Sequence, residues 1–185
     1  MIPESPEPVK LIIGILYSDA GRLRGAFEMM EEVFGSVDSV SDIFPFRVSD
    51  YYKPEMGARI YRRFASFGEL VHPGSLASIK IKTNHIEEEL ALEGKRKVNL
   101  DPGVMDFDKF VLASCKYNGQ KIYLDQGVWA DLTLRYRKGH FEPYPWSFPD
   151  FKRGDYENVF LSIRESFKKQ RKEAVIPSNG KRKKP

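Results

Sequence analysis

The sequence predicts a single α+β domain: an antiparallel β-meander with about three helices packed on it. Three observations carry that expectation. A near-continuous apolar run, VKLIIGILY, stands close to the N-terminus. Three later stretches space their apolar residues three and four apart, as helices do. Between residues 113 and 142, three glycine-containing bends divide the flanking residues into one apolar set and one polar set.

Val9 to Tyr17 is expected to be a buried strand, because it is apolar almost throughout. Leu23, Phe27, Met30 and Phe34 follow at helical spacing, and Gly35 suits the end of that helix. FPFRVSDYY and ARIYRRFASF are rich in aromatic and β-branched residues and flank KPEMG, so a hairpin or a strand pair is expected there. A second helix is placed from about Pro73 to about Leu92. Its buried stripe is Leu76, Ile79, Thr83, Ile86 and Leu90, and the adjacent stripe is Lys80, Asn84, Glu87 and Ala91. A third helix is placed near Asp155 to Lys172, with Tyr156, Phe160, Ile163 and Phe167 inward.

The meander is read from its turns. Asn118-Gly119 predicts a tight hairpin with positive φ at both residues, pairing Cys115 with Ile122 and Ala113 with Leu124. Asp125-Gln126-Gly127 predicts a three-residue loop that pairs Leu124 with Val128, Ile122 with Ala130 and Lys121 with Asp131. Lys138-Gly139 pairs Tyr136 with Phe141 and Arg135 with Glu142. One face then holds Ala113, Cys115, Ile122, Leu124, Val128, Ala130, Leu132 and Leu134. The other holds Ser114, Lys116, Lys121, Tyr123, Trp129, Asp131, Thr133 and Arg135. In NLDPG, Val98 and Leu100 alternate with Asn99 and Asp101, and Pro102-Gly103 is expected to turn the chain.

Hydrophobic residues make up 41% of the 185, which suffices for a core and excludes a disordered chain. No run reaches the roughly 20 apolar residues of a membrane span. MIPESPEP lacks the charge and apolar pattern of a signal peptide. With one cysteine, Cys115, no internal disulfide forms, and a cytoplasmic location is expected. The net charge of +4 is uneven. Residues 168–185 carry +7, which leaves −3 on the other 167 residues. The domain plan is a flexible lead over residues 1–8, the α+β domain over 9–172 and a basic disordered tail over 173–185. Such a tail is a solubilising end or a nonspecific nucleic-acid contact.

The expected site is a polar cleft for a phosphate-bearing small molecule or nucleotide. Lys116 and Arg96 are the candidate anion contacts, since Lys116 has no carboxylate opposite it in the predicted register. Asn84, Asn99 and Asp101 would orient the ligand, and Glu87, Asp50 or Asp101 would exchange a proton. Asp50 and Glu55, brought near Asp101 and Glu87, are also the residue types that hold a divalent cation. Each has a plainer reading, as turn chemistry or solvated charge. The sequence leaves the cofactor unknown. His72, His85 and His140 are scattered, with no zinc-ligand spacing. Cys115 falls on the apolar face, where a thiol is inert. EPYPWSFPDF, with three prolines and four aromatics, is expected to strap the core or to offer a binding strip. The alternatives are an RNA-associated module using the tail with Tyr123 and Trp129, and a structural partner protein without ligand.

The segment NLDPGV resembles the Asn-Leu-Asp-Pro-Gly-Tyr motif of a family known as domain of unknown function (DUF) 4416, with Val104 in place of Tyr. The resemblance extends to SDYYKPEMG, RRFASF, IKIKTNHIE, VLASCK and PWSFPDF. It implies membership and no particular reaction. Some members carry a GTP-binding label, but this chain has no GxxxxGK[ST] loop to cradle phosphates.

Overall fold

In the computed structural model, which describes residues 2–175, nine strands form one sheet whose pairs are all antiparallel. The strands are β1 (Val9–Tyr17), β2 (Val37–Val40), β3 (Phe44–Pro45), β4 (Tyr61–Val71), β5 (Val98–Met105), β6 (Lys109–Ser114), β7 (Ile122–Asp125), β8 (Val128–Arg137) and β9 (His140–Pro143). Their order is β2-β4-β1-β5-β6-β8-β7, with β3 also on β4 and β9 also on β8. The helices are α1 (Ala20–Phe34), α2 (Lys53–Met56), α3 (Leu76–Glu89), α4 (Pro149–Lys152) and α5 (Glu157–Val175). The basic residues after 175 lie outside the described region, and with them most of the expected tail.

β1 is buried along its whole length because helices cover both faces of the sheet around it. On one face α1 and α3 bring Leu23, Met30, Ile79 and Ile86 onto Leu11, Ile13, Ile15 and Leu100. On the other, Phe151, Phe160 and Ile163 pack on Ile12, Phe64, Phe110 and Leu134. Asp19 starts α1 by accepting from the Arg22 amide at 2.8 Å, and Gly35 ends it with φ of 84°. Lys10 breaks the apolar run. Its ammonium is fully buried, donates to the Phe67 carbonyl at 2.6 Å and to Gln170 Oε1 at 2.9 Å, and pairs with Asp38.

Several expected registers hold. Ile122 opposes Ala130, Tyr136 opposes Phe141 and Arg135 opposes Glu142. The Lys121–Asp131 and Arg135–Glu142 ion pairs form at 3.3 and 2.7 Å. Others do not. β6 pairs with β8 and not with β7, so the hairpin expected at Asn118-Gly119 is absent. Neither residue has positive φ, and a single turn bond from the Lys121 amide to the Asn118 carbonyl closes the bend. β8 is longer than either neighbour and accepts β6 on one edge and β7 on the other. At the next turn, Gln126 and Gly127 both have positive φ, at 52° and 74°, so Asp125 pairs Val128 and Leu124 falls in a bulge.

The two-face partition fails where the ladder slips. A register shift between Phe110 and Val111 reverses the alternation along β8, and Asp131 and Thr133 are buried. β7 is an edge strand exposed along its whole length, with Ile122 70% exposed. Cys115 lies past the end of β6 and is exposed, contrary to its expected burial. KPEMG forms α2 instead of a hairpin turn, and the flanking segments pair through Phe44–Arg62 and Pro45–Tyr61, with the Phe46 amide on the Ile60 carbonyl at 2.9 Å.

The largest correction concerns NLDPG. β5 runs straight through Pro102 and Gly103 and pairs with β1 from Val98 to Met105. Its ladder to β6 covers only Gly103, Val104 and Met105. Peptide groups along a strand point to alternate sides with period two. Leu100 therefore shows which way Pro102 faces. Its N–H and C=O bind Glu87 and Lys80, away from β1. Pro102 faces the same way, toward β6, and has no N–H to extend that ladder. There β6 parts from β5. Gly103 permits the close approach just before the parting, because a Cβ there would stand 2.5 Å from Phe110 Cζ and 2.8 Å from the Val111 carbonyl oxygen. Gly103→Ala is expected to destabilise the fold by about 1–3 kcal/mol through overpacking, read as a lower urea midpoint with an unchanged m-value.

Candidate functional site

The gap between β5 and β6 opens into a cavity of about 620 Å³. α3 supplies Lys80, Asn84 and Glu87 to one wall. β5 supplies Asn99 and Asp101, and the end of β6 supplies Ala113 to Lys116. Arg62 on β4, Asp131 on β8 and the Phe148 to Phe151 strap close the far side. Phe46, Tyr51 and Tyr52 complete it.

Six of the seven expected site residues meet here: Asn84, Glu87, Arg96, Asn99, Asp101 and Lys116. Asp50 does not line the cavity. It is exposed and pairs at 2.6 Å with Lys53, the first residue of α2. The meeting of the others follows from α3. Its stripe next to the buried one lies over the open side of β5, as its helical spacing requires.

Glu87 is 3% exposed and accepts from the Leu100 amide at 2.7 Å and from Arg96 Nη1 at 2.8 Å. Lys80 donates to the Leu100 carbonyl at 2.7 Å. Two side chains of α3 thus take the peptide groups that a paired strand would otherwise satisfy. Arg96 forks onto Glu55 at 2.7 and 2.9 Å and also donates to Asn99 Oδ1 at 3.0 Å. Asn99 then donates to Asp101 Oδ2 at 2.9 Å. Four of the five guanidinium N–H donors of Arg96 are therefore taken by protein acceptors. Asp101 Oδ1 stands 3.6 Å from Lys80, and 26% of its side chain is exposed.

The charge shifts follow these contacts. Burial raises Glu87 above the ordinary carboxylate value, against Lys80 and the Arg96 bond. The Arg96 hydrogen bond holds Glu55 below it. Burial first, and Asp101 second, push the Tyr52 phenol up, so it stays a neutral hydroxyl.

Sequence reasoning missed the far wall. Arg62 is 7% exposed at its side chain, and its guanidinium lies over Phe46 at 5.1 Å and Phe64 at 5.7 Å. Asp150 Oδ2 is 3.3 Å from Arg62 Nε and accepts from the Tyr156 hydroxyl at 3.0 Å. Arg62 Nε, Asp150 Oδ1 and Asp131 Oδ1 are buried without a protein hydrogen-bond partner among the described residues. The signal for Arg62 was an arginine inside an aromatic strand, YRRFASF. Asp131 was visible only as the partner of Lys121.

Lys116 is exposed at the rim. Its ammonium contacts the Tyr51 hydroxyl and sits 3.8 Å from the Tyr51 ring centre. It is the one lining cation in no ion pair among the described residues. Cys115 lies beside it, and Asn84 Nδ2 is 3.5 Å from the sulfur. Among the described residues, no three His, Cys, Asp or Glu side chains are grouped as metal ligands. Tyr123 and Trp129 lie edge to face at 5.1 Å, outside the cavity. No described helix is long and apolar enough to cross a membrane.

Fold and cavity together define a single-domain α+β protein built around one polar hollow at a parting in its sheet. The chain belongs to the family described as domain of unknown function DUF4416, which matches residues 7–167. No curated protein and no solved structure matches it.

Two outcomes test the network. Glu87→Ala should cost about 1–3 kcal/mol in chemical denaturation, because it strands the Leu100 amide and takes one of two carboxylates from Lys80 and from Arg96. The second concerns pH. Glu55 is held below its ordinary value of 4.5, so its contribution is full above that pH and is lost as pH falls through the lowered value. Glu87, raised by burial, slopes the other way. In Glu55→Gln, the melting temperature should fall less than in the parent as pH drops below about 4.5.

Proposed function

We propose that the cavity binds a phosphate-bearing small molecule, with the phosphate at the rim against Lys116. The observation that carries this is the charge arrangement. Arg62, Lys80, Arg96 and Lys121 each have a carboxylate partner, and Lys116 has none among the described residues. An unpaired ammonium at the mouth of a polar hollow attracts an anion, and the amide of Asn84 lines the same wall. Arg96, the other expected anion contact, serves as scaffold because Glu55, Glu87 and Asn99 already occupy it. A volume of about 620 Å³ suits a small metabolite.

Asp101 is the proton-exchanging group in this reading. Glu87 has both oxygens engaged by protein donors, whereas Asp101 keeps one oxygen toward the cavity beside Lys80. Asp50 takes no part in it.

A thermal-shift series with inorganic phosphate, sugar phosphates and nucleotides tests the proposal. At least one phosphate compound should raise the melting temperature of the parent. Lys116→Met should reduce that affinity about tenfold or more, as loss of a charge-assisted contact does, and leave the unliganded melting temperature nearly unchanged. No shift from any phosphate compound, or an equal shift in Lys116→Met, would reject it.

A further inference from the structure

The rim accounts for one end of a ligand, and the inner wall describes the other. We infer that the ligand is a phosphorylated sugar or polyol whose hydroxyl groups fill the inner cavity between Arg62, Asp150 and Asp131. This rests on the phosphate reading above and narrows its chemical class.

Three buried polar atoms on residues that line the hollow make no protein hydrogen bond among the described residues: Arg62 Nε, Asp150 Oδ1 and Asp131 Oδ1. Their residues are 6%, 1% and 5% exposed, which removes them from bulk solvent. Buried polar groups of this kind are nearly always hydrogen-bonded in folded proteins. Two of the three are acceptors and one is a donor.

Charge decides what meets them. Asp150 already has Arg62 at 3.3 Å, and Asp131 has Lys121 at 3.3 Å. A cationic amine would add uncompensated positive charge to two pairs that are already neutral, and a second anion would do the reverse. A hydroxyl adds none. It donates to a carboxylate oxygen and accepts from a guanidinium N–H in the same place. The juxtaposed Arg62–Asp150 pair presents that combination, and Asp131 presents a second acceptor. The Phe148 ring, 53% exposed on the cavity wall, suits the C–H edges of a sugar ring. A cation is the wrong occupant for the acceptors, since no three metal-ligand side chains are grouped among the described residues.

Calorimetric titration of the full chain tests this with four probes: inorganic phosphate, pentyl phosphate, ribose 5-phosphate and free ribose. Pentyl phosphate has the same carbon count as the sugar without its hydroxyls. Ribose 5-phosphate should bind at least about tenfold tighter than pentyl phosphate, the scale of a hydrogen bond to a charged group. The double variant Asp131→Leu with Lys121→Met removes a carboxylate together with its cation, so no charge is stranded. It should erase most of the sugar's advantage and leave the phosphate-dependent affinity and its Lys116 dependence in place. Equal binding of pentyl phosphate and ribose 5-phosphate would overturn the inference and spare the phosphate reading. So would a sugar advantage that survives in the double variant. If no phosphate compound binds, the phosphate reading fails and free ribose decides. Ribose binding that is lost in the double variant supports hydroxyl recognition on its own, and no ribose binding rejects it.

Discussion

The peptide group of Leu100 is where the architecture turns. In an ordinary sheet its N–H and C=O would bind the next strand. Here Pro102 has no N–H to carry the β5–β6 ladder further, and β6 departs. Glu87 and Lys80 reach from α3 and take the two positions the strand left. A buried peptide group without partners would cost a few kcal/mol, so the parting of two central strands is stable only with this substitution. A carboxylate and an ammonium are suited to it, since one accepts from the amide and the other donates to the carbonyl. Their charges then need partners, and Arg96, Glu55, Asn99 and Asp101 follow as a connected set. One missing hydrogen therefore leads to a polar hollow inside a sheet.

The opposite wall is organised by aromatic packing. Phe64, Phe110, Phe151 and Phe160 form the core beneath α5, and Arg62 projects from the same strand as Phe64 into their edge. The strap from Glu142 to Phe151 closes over it. Ser147 and Trp146 fasten the strap to the Thr133 and Leu132 carbonyls, at 2.5 and 2.8 Å. That anchoring fixes Asp150 beside Arg62. Stiff aromatic surroundings suit a charged pair that meets imperfectly, because neither partner can relax toward a better bond.

How much of this was legible depended on distance along the chain. The three long helices and the buried β1 are encoded by local periodicity, and they stand where that periodicity put them. The Lys80, Asn84 and Glu87 stripe was legible for the same reason. NLDPG misled because Pro and Gly favour turns locally. Their roles here, a ladder terminus and a close approach to Phe110, depend on two neighbouring strands that the local sequence does not specify. Asn118-Gly119 misled in the same way. A hairpin there was locally sound, but β8 offered β6 a longer edge. Arg62 and Asp150 meet across nearly half the chain, and nothing near either residue points to the other.

One thiol in the whole chain is placed at the lip of the hollow, where solvent reaches it. A maleimide or a fluorophore aimed at sulfhydryls therefore has a single address, next to Lys116. That sulfur belongs to the lining of the chamber itself. The molecule carries its own attachment point for a probe that senses when the doorway is filled, with no engineered residue required.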